Sequence, residues 1–193
     1  MRTFSPETRK SIESRMIEEG FSLLKEGGLK NIRIDETARK CGIAKGSFYS
    51  FFETKAEFIY RIMISKREEA KQKLEDYLEN GKLSFDGLYQ YLLWLAQSDL
   101  DIFAHLSEKD RQELKRQWPE SWFNNDSNNI LTVSRILGCL ENPRQDADKL
   151  LFANCLKLIA LAKAEKQVFA LPAFAPMIDH IVRLACETVC FSS

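Results

Sequence analysis

At 193 residues, 45% hydrophobic and 29% charged, the chain has the composition of a folded protein long enough to bury a substantial core, which excludes disorder and fibrous repeats. No apolar run reaches the ~20 residues that a membrane-spanning helix needs, and Met1-Arg2-Thr3-Phe4-Ser5-Pro6 lacks the apolar stretch of a signal peptide, so a cytoplasmic location with no membrane partner is expected. Lysine plus arginine and aspartate plus glutamate balance at 28 each, which alone points to no class of partner.

Helical periodicity runs through the chain and strand alternation is nearly absent, so an all-α fold is predicted. Apolar Ile12, Met16, Ile17, Phe21 and Leu24 mark one stripe of a first helix. Ser5 suits its cap, Pro6 its first turn and Gly27-Gly28 its end. A short helix follows from Ile34 to Cys41, then a turn at Gly42-Ile43-Ala44, then a very short helix from Lys45 to Phe52. A long helix is expected from about Lys55 to Glu79, stopped by Asn80-Gly81, and another after Ser84. Ser107 with Asp110 reads as a capping pair for the charged helix to Arg116, the region from Trp118 to Asp126 as irregular, and a further helix from about Asn128 to Gly138. Asn142-Pro143 looks like a cap and first turn for a helix reaching about Phe169, and Pro172 to Pro176 opens the last one, ending near Cys190. The architecture predicted is an N-terminal three-helix bundle with a helix-turn-helix, residues 1–54, and a larger helical domain, residues 55–193.

The last two helices are apolar over more than one face, and a helix that is hydrophobic all round must be buried all round. Two of them side by side fit best if one face of each packs on a second copy, so a homodimer is expected. Its interface is assigned to Leu156, Ile159, Phe174, Met177, Ile178, Ile181, Leu184 and Ala185.

The five cysteines (Cys41, Cys139, Cys155, Cys186 and Cys190) are scattered, form no C-x-x-C pair, and have only two histidines to join them. They read as small buried hydrophobes rather than as disulfides or metal ligands. There is no glycine-rich phosphate loop after a strand, no nucleophile elbow and no metal-ligand cluster. No enzymatic activity, cofactor or metal is therefore expected.

The segment that carries chemistry is residues 34–52. Phe48 and Phe52 sit four apart and face inward, which leaves Lys45, Gly46, Ser47, Tyr49 and Ser50 on the outer side of the third helix. Lys45 can donate to guanine edges or phosphate, Ser47 and Ser50 can serve base edges, Tyr49 can bond a phosphate, and Gly46 allows close backbone approach. Lys55 can neutralise another phosphate. Residues 1–55 carry 11 basic against 8 acidic side chains, so the modest positive imbalance coincides with this module.

The run Gly42-Ile43-Ala44-Lys45-Gly46-Ser47-Phe48-Tyr49-Ser50-Phe51-Phe52, with Ala38 before it and Lys55 after it, resembles the helix-turn-helix of the TetR family of bacterial repressors. The sequence departs from that pattern at Arg33, where a capping threonine is common, at Thr37, where a buried isoleucine is usual, and at Ser50-Phe51, where histidine and tyrosine are frequent. The resemblance implies DNA contact by Arg33, Lys45, Gly46, Ser47, Tyr49, Ser50, Phe51 and Lys55. It also implies a homodimer on a palindromic double-stranded operator, repression, and release by a small-molecule effector of unknown identity. Tyr91, Trp94, Phe103, His105, Trp118, Trp122 and Phe123 are the candidate effector-pocket residues, with plain core packing as the competing reading. A dimer of the same fold that works through a protein partner, with weak operator binding, is the alternative function.

Overall fold

A computed structural model describes residues 5–119, 122 and 133–191. They divide into two compact units, one drawn from Met1–Arg67 and His105–Phe123, the other from Glu68–Ala104 and Asn124–Ser193. The described residues are overwhelmingly helical, with isolated bridges and no sheet, so the all-α expectation holds. No helix among them is long and apolar enough to cross a membrane.

In the first unit, α1 spans Pro6–Gly27, with the Ser5 hydroxyl accepting the Thr8 amide and Pro6 in the first turn. It ends where Gly28 adopts φ +70°, a left-handed conformation that costs glycine little. Helix α2 is Ile34–Lys40, α3 is Lys45–Phe48 and α4 is Lys55–Leu74. The face of α1 that carries Ile12, Met16, Phe21 and Leu24 is buried, as are Phe58, Ile59 and Ile62 on α4. Gly20 lets these helices approach, because a Cβ there would lie 2.4 Å from Cζ of Phe58. Lys66 is buried to 4% exposure, yet its ammonium donates to both carboxylate oxygens of Glu18 at 2.7 Å and lies over the Phe21 ring. A buried cation is tolerated when it is paired in this way.

Helix α6, Glu108–Gln117, also belongs to this unit. Ser107 and Asp110 form the reciprocal capping box that their spacing predicts. Past its end, the indole N–H of Trp118 donates to the Ala56 carbonyl of α4.

In the second unit, the last turn of α4 gives way to a short 3-10 turn at Glu75–Tyr77, then to a tight reversal with Asn80 and Gly81 at positive φ. Helix α5 is Phe85–Gln97, capped by Ser84; α7 covers 133–139; α8 is Lys149–Ala164; α9 is Leu171–Glu187. Helices α5, α8 and α9 enclose a core that includes Leu88, Leu92, Phe152, Val182 and Cys186. Lys163 closes the end of α5 by donating to the carbonyls of Leu95 and Ser98, and burial pulls its pKa down. All five cysteines are free thiols, Cys139 half-buried and the others buried.

One predicted helix start is corrected. Asn142-Pro143 opens no helix: Pro143 bridges Cys190, and the Arg144 amide donates to the Val189 carbonyl at 2.9 Å, so this stretch pairs with the end of the chain. Helix α8 starts instead behind Asp148, whose carboxylate accepts the amides of Leu150 and Leu151. The expected helix starting near Asn128 begins outside the described residues, as do Phe123 and most of the irregular stretch before it.

Candidate nucleic-acid interface

Helix α2 starts without a side-chain cap: Arg33 occupies the capping position and makes no capping bond. Thr37 is fully buried, and its hydroxyl donates to the Arg33 carbonyl at 3.0 Å. The polar atom that replaces an apolar side chain is therefore satisfied within its own helix, and the departure costs the core little. At the other end, Ile43 N–H donates to the Ala38 carbonyl and Gly42 N–H to the Arg39 carbonyl, with Gly42 at φ +73°. This is the 6→1 and 5→2 pattern of a Schellman motif, and it fixes the direction in which α3 leaves.

Helix α3 is shorter than its periodicity suggests. Regular α-helix ends at Phe48, and the chain continues in tight turns, with Ser50 N–H donating to Ser47 and Phe51 and Phe52 N–H groups both donating to Phe48. Phe48 and Phe52 are buried and anchor the segment. Their rings lie 5.2 Å apart and pack on Phe58 at 5.1 and 4.8 Å.

The opposite side is open. Lys45, Gly46 and Ser50 are exposed, Ser47 is half-buried and Tyr49 is 50% exposed. A Cβ placed on Gly46 would meet nothing within 4 Å, so another molecule's backbone has room to approach there. The Ser50 hydroxyl donates to the Ser47 carbonyl at 2.7 Å, which leaves its oxygen facing outward as an acceptor. Arg33 is exposed at the start of α2.

Lys55 is engaged within the unit. Its ammonium donates to the Leu29 carbonyl at 2.8 Å, and burial lowers its pKa against the opposing pull of Glu113 and Asp110. It tethers the start of α4 to the turn after α1. Sequence reading also missed Arg9. From the first turns of α1 it donates to the Ser50 carbonyl and lays its guanidinium over the Phe51 ring, 4.3 Å from the centroid. No local periodicity signals a contact across forty-one positions.

The candidate effector residues do not come together in either unit. His105, Trp118 and Trp122 belong to the first, where Trp122 stacks on Tyr60 at 4.0 Å and the His105 ring meets Phe21 edge-on. Tyr91, Trp94 and Phe103 belong to the second, where Tyr91 is buried, donates to the Ala70 carbonyl and stacks beside Trp94. Phe123 lies outside the described residues. The described members of this set are thus shared between the two units.

The residues assigned to the dimer face differ in exposure. Ile159, Ile178 and Ala185 are buried within the unit, and Leu156, Phe174, Met177 and Ile181 are half-buried against its core. Only Leu184 of that set is among the exposed large hydrophobics, together with Leu150, Leu158 and Leu161 of α8. When a helix is apolar on several faces, pattern alone cannot choose which face the chain keeps for itself.

Residues 16–62 match the family model for bacterial regulatory proteins of the tetR family. No curated protein matches the sequence at a significant level. Among solved structures, a TetR transcriptional regulator from Rhodococcus sp. RHA1 is similar at a TM-score of 0.58 and 18% identity, over 92% of this chain and 96% of that one. Reduced NemR from E. coli is similar at 0.58 and 16%, over 95% and 99%. NalD, the secondary repressor of the MexAB-OprM multidrug efflux pump in Pseudomonas aeruginosa, is similar at 0.51 and 14%, over 95% and 100%. At these identities the structural likeness speaks for the fold.

Proposed function

We propose that the chain is a sequence-specific, double-stranded-DNA-binding transcriptional regulator of the TetR family, whose family model matches residues 16–62. The observation that carries this reading is the surface of α3 and the turn after it. Lys45, Gly46, Ser47, Tyr49 and Ser50 face outward from a segment whose other side is fixed by Phe48 and Phe52. A rigid scaffold bearing exposed donors, acceptors and one cation is what reading a major groove requires.

The finer reading is of a repressor that binds a palindromic operator as a homodimer and is released by a small molecule held in the second unit. The exposed leucines of α8 and Leu184 of α9 support the dimer, because an apolar face of this kind gains by being buried against its own copy. A second unit with a core of its own supports a sensing role separate from DNA reading.

Selection of bound duplexes from a random DNA pool, at near-physiological salt, tests the proposal. The expected result is an enriched palindrome. Lys45→Ala then weakens binding to it about tenfold and lowers the slope of log affinity against log salt by about one, with the thermal midpoint unchanged. Failure of the folded protein to enrich any duplex overturns the reading.

A further inference from the structure

The Arg9 contact has no part in the core of the first unit, since Arg9 and Ser50 are both exposed. Yet the side chain reaches from α1 to the end of the reading segment and holds it in two ways at once. A guanidinium N–H donates to the Ser50 carbonyl, and the guanidinium carbon lies over the ring of Phe51. We infer that Arg9 is a positioning residue for DNA reading, which fixes the turn after α3 so that Ser50 and Phe51 meet the base edges in a single geometry. The inference rests on the DNA-binding function proposed above.

The need for such a clamp follows from the local structure. Regular helix stops at Phe48, so Ser50 and Phe51 lie in a tight turn and lack the hydrogen-bond ladder of a continuing helix. Phe52 is fixed by burial; Ser50 and Phe51 are not buried. The Ser50 hydroxyl is engaged with Ser47, which presents its oxygen as an acceptor, suited to the amino groups of cytosine or adenine. The half-buried Phe51 offers an apolar surface suited to a thymine methyl group. Both choices depend on where the turn sits, and a displacement of a fraction of an ångström misplaces them. Arginine suits the task because one planar group supplies a directed donor and a stacking face, which the ammonium of lysine does not combine.

The test uses the duplex enriched by the wild-type chain, with an unrelated duplex of equal length as control. Arg9→Ala is expected to weaken binding to the selected duplex about tenfold, to leave the control unchanged, and to keep the salt slope of the wild type. Arg9→Lys is expected not to restore affinity. Repeating the selection with Arg9→Ala is expected to relax the preference at one position in each half-site. Phe51→Leu approaches the clamp from its other side and is expected to relax the same position, with the double variant no worse than either single one.

Equal weakening on both duplexes with a salt slope lower by about one, or rescue by Arg9→Lys, would show a phosphate contact and overturn the positioning role. Unchanged affinity in Arg9→Ala overturns it as well. These outcomes leave DNA reading intact. If the wild-type chain enriches no duplex, that function itself fails and the role of Arg9 falls with it.

Discussion

The indole N–H of Trp118 donates to the main-chain carbonyl of Ala56 across 2.8 Å, in surroundings that leave the tryptophan 5% exposed. This bond, with the edge-on contact between Trp118 and Tyr60, ties the end of α6 to the start of α4 inside the first unit. Trp118→Phe keeps most of the ring packing and removes the donor, so a loss of about 1 to 2 kcal/mol is expected in urea unfolding. Trp118→Ala also opens a cavity and is expected to cost about 3 to 5 kcal/mol. A tryptophan that lines an effector site would instead alter effector response in the phenylalanine variant and leave the unfolding midpoint where it was.

Gly20 is the second point at which the first unit tolerates no change. A methyl group there would meet Phe58 Cζ at 2.4 Å and Ile62 Cδ1 at 2.8 Å, and Phe58 is itself held between Phe48 and Phe52. Alanine favours a helix over glycine by up to about 1 kcal/mol, whereas overpacking a filled core costs about 1 to 3 kcal/mol. Gly20→Ala is therefore expected to destabilise the protein and lower its thermal midpoint. Because the displaced ring supports Phe48, operator affinity is expected to fall with it. A stabilised variant would mean that the core has slack which the packing does not show.

Much of this first unit was legible in the sequence. The stripe on α1, the Ser5 and Ser107 caps, the turn at Gly42 and the inward pair Phe48 and Phe52 all follow from local rules acting over three or four residues. What was not legible depends on contacts distant in sequence. Arg9 meets Ser50, Lys55 turns inward to Leu29, and the end of the chain pairs with Pro143 and Arg144 in place of the helix that a cap and a proline suggested. The aromatic candidates fall in both units for a related reason: residue type marks burial, and burial alone does not say in which unit a side chain lies.

The face left open on α8 gives a prediction for assembly. Leu158 is 49% and Leu161 64% exposed, while Ile159 between them is buried in the unit's own core. A charge at Leu161 spares that core and meets any partner copy. Leu161→Glu is therefore expected to shift sedimentation from dimer to monomer with a helical circular dichroism spectrum like wild type. Ile159→Glu is expected to unfold the unit instead, because it buries a carboxylate without a partner. A dimer that survives Leu161→Glu would place the interface elsewhere.

Stability at high pH follows from groups that burial keeps protonated. Burial pushes the Tyr91 hydroxyl up to about 12 from 10.0, and the Cys186 thiol up to about 12 from 9.0. The unfolded chain releases these protons first, so between about pH 9 and 12 the folded state binds more of them and loses stability as pH rises. Lys163 acts in the opposite sense. Burial lowers its pKa, so the unfolded chain binds more protons just below the usual lysine range, and stability there rises with pH. The two raised groups are expected to outweigh Lys163 and Lys55, whose pKa burial also lowers, since Tyr91 alone represents a loss on the order of 2 kcal/mol. Unfolding by urea at a series of pH values is expected to show stability constant up to about pH 8 and falling above it. In Tyr91→Phe combined with Cys186→Ala, absolute stability is lower, because a hydrogen bond to Ala70 and some packing are lost, but the alkaline fall is expected to flatten. A double variant that keeps the full wild-type slope would assign the alkaline loss to other groups and show that neither side chain stays protonated in the folded state.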